Sequence, residues 1–126
     1  MAAPSPAKPA PVLIILAGLP GTGKTTLAKA LASPLNAFYL RIDTIEQALT
    51  RSILALDPVE DAGYVAAYAL AADNLRPGSV VIADSVNPIH LTRKDWQAVG
   101  EKAGASIVNV ELVCTDKAQH RARVEG

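Results

Sequence analysis

The apolar residues of this chain fall into two kinds of segment that alternate along it. The first kind is short: Val12–Ala17 (VLIILA) and Val80–Ala83 (VVIA) are continuous, and Ile107–Val113 reads as a fourth strand in which Asn109 and Glu111 interrupt the apolar residues. Continuous runs of this length suit strands covered on both faces, as in a parallel sheet. Ala37–Ile42 (AFYLRI) reads as a further strand, second in chain order. The second kind repeats apolar residues at helical spacing. A helix is expected from about Lys24 to Ser33, stopped by Pro34. Another carries Ile45, Leu49, Ile53 and Leu56 and is broken by Pro58. A third carries Tyr64, Tyr68, Ala72 and Leu75 and ends at the turn Arg76-Pro77-Gly78. Thr92 with Asp95 resembles a capping box for a helix that would bury Trp96, Val99 and Ala103 and end at Gly104. Thr115 or Asp116 is placed to cap a last helix running toward Arg123. Strands alternating with helices predict βαβ units and an α/β fold.

Residues 1–11 (MAAPSPAKPAP) stand outside this pattern. Four prolines remove backbone donors and favour extended states, so the segment reads as a disordered leader, with one domain over residues 12–126. Composition narrows the functional classes. Half of the residues are hydrophobic, 19% are charged and the formal net charge is zero. That balance is globular, and it offers no basic footprint for a nucleic-acid partner. The single cysteine, Cys114, excludes an intrachain disulfide. No run approaches the roughly 20 apolar residues of a membrane span, and Val12–Leu16 is too short for a signal-peptide core. A cytoplasmic protein is expected.

The strongest chemistry lies between the first strand and the first helix. Gly18-Leu19-Pro20-Gly21-Thr22-Gly23-Lys24-Thr25 matches all eight positions of the P-loop, in the required strand-loop-helix context. Its glycines let the backbone wrap a phosphate, and its N–H groups and the helix N-terminus point at the anion. Lys24 is expected on the β- and γ-phosphates, the Thr25 hydroxyl on Mg²⁺, and Thr26 near the α-phosphate of a nucleoside triphosphate.

Two more strands end in carboxylates, at the edge where open parallel sheets bind ligands. Asp84 closes VVIAD, the arrangement in which a carboxylate holds Mg²⁺ directly or through water. Ser85 follows it, where many P-loop ATPases place the Glu that orients an attacking water. Asp43, after Arg41-Ile42, could accept the proton of a substrate hydroxyl and so direct phosphate to an alcohol. Asp43-Thr44-Ile45-Glu46 also reads as a helix cap, and Asp84 as the start of an Asx turn.

These motifs resemble the small P-loop kinases related to chloramphenicol phosphotransferase, zeta toxins and gluconate kinase, proteins often named AAA family ATPases. The resemblance rests on GLPGTGKTTLAKALA, on RID, on VVIADSVNP and on VELVCTDKAQHRARVEG. It implies a three-layer P-loop fold with sheet order 2-3-1-4, Lys24 as phosphate clamp, Asp43 as catalytic base and Asp84 near the metal. Arg41, Asn87 and Arg93 would lie near the acceptor or phosphates. Arg121 and Arg123 resemble the first arginines of a lid, which such kinases follow with a fifth strand. The expected domain is therefore C-terminally incomplete, without that strand, and the edge of the fourth strand is open to self-association. The function expected is transfer of the γ-phosphate of ATP, with Mg²⁺, to a hydroxyl of a small-molecule acceptor. An AAA-type ATPase and a nucleotide-binding module without turnover are the alternatives.

Overall fold

The computed structural model describes residues 8–18, 23–55, 61–85, 90–116 and 119–124. Their elements are β1 (Val12–Gly18), α1 (Lys24–Leu35), β2 (Phe38–Arg41), α2 (Ile42–Arg51), α3 (Ala62–Asn74), β3 (Val80–Ser85), α4 (His90–Lys102), β4 (Ser106–Asp116) and β5 (Gln119–Val124). The sheet order is β2-β3-β1-β4-β5. The first four strands are parallel and follow the expected order 2-3-1-4.

Successive residues of a strand point to opposite faces, so a strand covered on both sides is apolar throughout. In β1, Leu13 and Ile15 join Leu40, Ile42, Val81, Ala83 and Trp96 on the face covered by α3 and α4, where Ala67 and Ala71 close the layer. Ile14 and Leu16 pack on the other face with Ile82, Val110 and Ala28 of α1. The interface of α4 with the sheet is tight: a Cβ on Gly100 would come within 2.8 Å of Ile107 and 3.2 Å of Leu13. Trp96 is 1% exposed and meets the ring of Tyr68 edge-on, with centroids 4.7 Å apart.

Several boundaries differ from expectation. Helix α1 takes Pro34 into its last turn and ends at Asn36, whose left-handed backbone (φ 50°) lets the Asn36 and Ala37 N–H groups bond to Ser33 and Ala32. Strand β2 stops at Arg41, so Asp43 lies in the first turn of α2. Arg41 is the N-cap there and makes no side-chain capping bond. Helix α4 starts at His90, which puts Thr92 inside it, past a capping position. The expected last helix is a strand: β5 pairs antiparallel with β4, Val110 opposite Val124 and Val113 opposite Arg121. Its ladder takes up the backbone groups of the β4 edge that was expected to be open. Ahead of β1, Pro9 and Pro11 accept backbone hydrogen bonds from Gly78 (2.7 Å) and Ser106 (2.8 Å), and Pro11 is buried. No helix among the described residues is long and apolar enough to cross a membrane.

Candidate functional site: a buried ion pair at the sheet edge

Strand register sets the site. Arg41 lies opposite Asp84, and Asp84 opposite Leu16, so β2, β3 and β1 end on one row at the carboxyl edge of the sheet. Strand β1 ends at Gly18, and α1 is capped by Gly23, whose φ is +86°. A left-handed residue here is natural for glycine, since any other residue would set its Cβ against its own backbone. Helix α1 therefore starts above the sheet edge with Lys24 as its first residue.

Lys24 is 7% and Asp84 2% exposed, and they form an ion pair with Nζ 2.7 Å from Oδ1. The same Nζ donates to the carbonyl of Ser85 at 3.0 Å. The second carboxylate oxygen, Oδ2, accepts a short hydrogen bond from the Tyr39 hydroxyl. Burial first, and then its bond to Asp84, pushes the Tyr39 phenol above its ordinary pKa, so it stays a neutral donor. On the other face of β3, Tyr64 of α3 hydrogen-bonds the Ser85 hydroxyl at 2.9 Å. The end of β3 is thus held from both sides by phenols.

Asp43 stands apart from this network. Its carboxylate is 4.0 Å from Arg41 Nη2, both side chains being well exposed. With Glu46, Gln47, Thr50 and Arg51 it lines one face of α2 around a pocket of 370 Å³. Burial, followed by the charge of Asp43, raises the pKa of the Glu46 carboxyl. Arg93 on α4 reaches Glu111 of β4 at 3.7 Å, level with the end of β1 through the register Ala17–Glu111. Thr25 and Thr26 occupy the first turn of α1. Leu19, Pro20, Gly21, Thr22 and Asn87 lie outside the described residues. Arg121 and Arg123 fall in β5, where the expected helix would have put them on a lid.

Sequence reading missed the roles of Tyr39 and Tyr64, and took Ser85 only as the absence of a Glu. The signal for Tyr39 lay in the register: it sits two positions before Arg41, on the sheet face that also carries Asp84, and such diagonal neighbours are within reach of a long aromatic side chain. Tyr64 was read only as part of an apolar helix stripe.

The donor set suits a hard cation. Thr25 and Asp84 offer oxygens only, and the described residues hold no group of three or more His, Cys, Asp or Glu that could cage a metal alone. Magnesium is usually held by one or two protein oxygens together with substrate phosphates, so these residues fit it.

Comparison with known proteins agrees with this fold. A candidate kinase of Chloroflexus aurantiacus superposes with a TM-score of 0.70 at 27% identity, over 82% of this chain and 59% of that one. The APS kinase of Mycobacterium tuberculosis, solved with AMPPNP and APS, gives 0.64 at 20% identity over 82% and 62%, a likeness of fold. A gluconokinase of Sinorhizobium meliloti gives 0.56 at 16% over 86% and 61%, again a likeness of fold. A 26S proteasome regulatory subunit 4 homolog B of Arabidopsis thaliana is 36% identical over 89 residues, 71% of this chain and 18% of that protein. The chain thus spans about three fifths of the similar kinase structures and less than a fifth of the proteasome subunit. Residues 13–126 match the family model AAA_33, described as an AAA domain. The chain belongs to that family, as a P-loop nucleotide-binding domain with the fold of small kinases.

Proposed function

We propose that the protein transfers the γ-phosphate of ATP to a hydroxyl of a small-molecule acceptor. The observation that carries this reading is the placement of the Lys24–Asp84 pair on the same sheet edge as a polar pocket headed by Asp43. Lys24 neutralises charge on the β- and γ-phosphates. Thr25 and Asp84 would hold a magnesium ion, which when bound supplies charge neutralisation across those phosphates. Asp43 takes the proton of the acceptor hydroxyl, and the α2 pocket holds the acceptor near it. The residues that line the pocket carry polar groups that would hydrogen-bond an acceptor. The same reading places the protein in the cytoplasm.

The proteasome-subunit likeness supports a second reading, an AAA-type ATPase that passes phosphate to water. Ser85 argues against it, because this position carries no carboxylate and its hydroxyl is engaged by Tyr64. Incubation with γ-labelled ATP and panels of sugars, antibiotics, nucleosides and oligonucleotides separates the readings. Label on an acceptor supports the kinase, and label only as free phosphate supports the ATPase. Asp43→Asn should lower acceptor turnover by about 100-fold or more while nucleotide affinity holds. Unchanged turnover would remove Asp43 from the mechanism.

A further inference from the structure

We infer that Tyr39 is a positioning residue that orients the Asp84 carboxylate and so fixes which of its oxygens is offered to the cation of a metal–nucleotide complex. The inference rests on the reading of Asp84 as a cation contact, and goes beyond it in assigning a residue outside the P-loop to its orientation.

Asp84 ends β3, and Tyr39 stands on the neighbouring strand β2. The Tyr39 phenol donates to Asp84 Oδ2. An Asp carboxylate rotates broadly about χ2. One rigid aromatic ring, partly buried among Ile82 and the residues of α1, removes that freedom. With Oδ2 engaged by Tyr39, Oδ1 is the oxygen that takes a counter-ion, here the Lys24 ammonium at 2.7 Å and, on this reading, the cation that arrives with a nucleotide. The phenol therefore also selects which oxygen of Asp84 is offered. Misalignment of a supporting contact of this kind usually lowers metal affinity by 10- to 100-fold in metal sites, roughly the scale expected here.

The test compares cation affinity with nucleotide affinity, using Mn²⁺ as the probe. Tyr39→Phe keeps the ring and removes the hydroxyl. Mn²⁺ binding in the presence of saturating non-hydrolysable ATP analogue is followed by the loss of the free-ion EPR signal. Affinity for the analogue in excess EDTA is measured separately. The expected result is a fall of about 10-fold or more in Mn²⁺ affinity, with analogue affinity in EDTA within twofold of the parent. In an Asp84→Asn background, Tyr39→Phe should add little further loss, since the hydroxyl acts through that carboxylate. Mn²⁺ affinity unchanged by Tyr39→Phe overturns the inference. So does an equal loss with and without metal, or a variant that fails to fold, because either would make Tyr39 a structural residue only. Asp84→Asn alone keeps the two levels apart: if it leaves Mn²⁺ affinity intact, the underlying cation reading fails. If it abolishes Mn²⁺ binding while Tyr39→Phe does not, only the role of Tyr39 fails.

Discussion

Removing the Asp84 carboxylate would strand the Lys24 ammonium in a site where both groups are more than nine-tenths buried. A buried charge without its partner is far costlier than the pair is favourable. Asp84→Ala should therefore lose about 3–5 kcal/mol in urea denaturation, and Lys24→Met combined with Asp84→Leu should recover much of that loss. If the double variant is no better than the single one, the pair does not set the cost. Tyr68 carries a second residue-level expectation. Burial, with Asp95 adding to it, pushes its phenol from 10.0 up to about 12. The folded state keeps the neutral phenol when the unfolded chain has begun to lose the proton. This contribution to stability is whole below pH 10 and disappears as pH rises from 10 to 12. Denaturation midpoints followed over pH 9 to 12 should fall less steeply in Tyr68→Phe than in the parent. At this scale Lys24, Thr25 and Asp84 were legible in the sequence because a motif fixes their spacing. Tyr39 was not, because its meaning depends on strand pairing that no local pattern encodes.

Between elements, the closest approach to the sheet is that of α4 at Gly100. Gly100→Ala would gain about 1 kcal/mol in helix propensity. It would also drive a Cβ to 2.8 Å from Ile107 and 3.2 Å from Leu13, and overpacking of that kind costs roughly 1–3 kcal/mol. The clash should win, giving a lower thermal midpoint. Gly63→Ala is the contrast: its Cβ would meet the Glu46 side chain at 2.7 Å, and a long, partly exposed side chain can move aside. Gly63→Ala should therefore be nearly neutral by the same measurement. The strands were readable because continuous apolar runs have one sensible place in a two-faced sheet. Helix ends were less so. Pro34 was expected to stop α1 and is instead carried in its last turn, since the left-handed Asn36 closes the helix just after it. Residues 119–124 form a strand because β4 runs on to Asp116 and presents a ladder that a local helix signal cannot outweigh.

For the whole molecule, the order 2-3-1-4 brings the ends of β1, β2 and β3 together, and ligand binding should be felt across that junction. A ligand present at 100 times its Kd stabilises the folded state by about 2.7 kcal/mol. Mg·ATP should thus raise the thermal midpoint by several degrees, and Lys24→Ala should abolish the rise. A shift that survives in Lys24→Ala would place nucleotide binding elsewhere. The global topology was legible because the P-loop motif fixes where β1 and α1 lie. The antiparallel β5 was not, since its pairing is set by an edge that exists only once the sheet has formed. The Lys24–Asp84 pair has a last consequence, for competition among anions. A lone phosphate or sulfate must draw the ammonium away from a carboxylate 2.7 Å distant and leave that carboxylate uncompensated. A nucleotide that arrives with its own cation exchanges one counter-ion for another, and the charge balance is kept. On the reading proposed here, the pair makes the site a filter against small free anions, working by charge accounting where a narrow entrance would otherwise be needed.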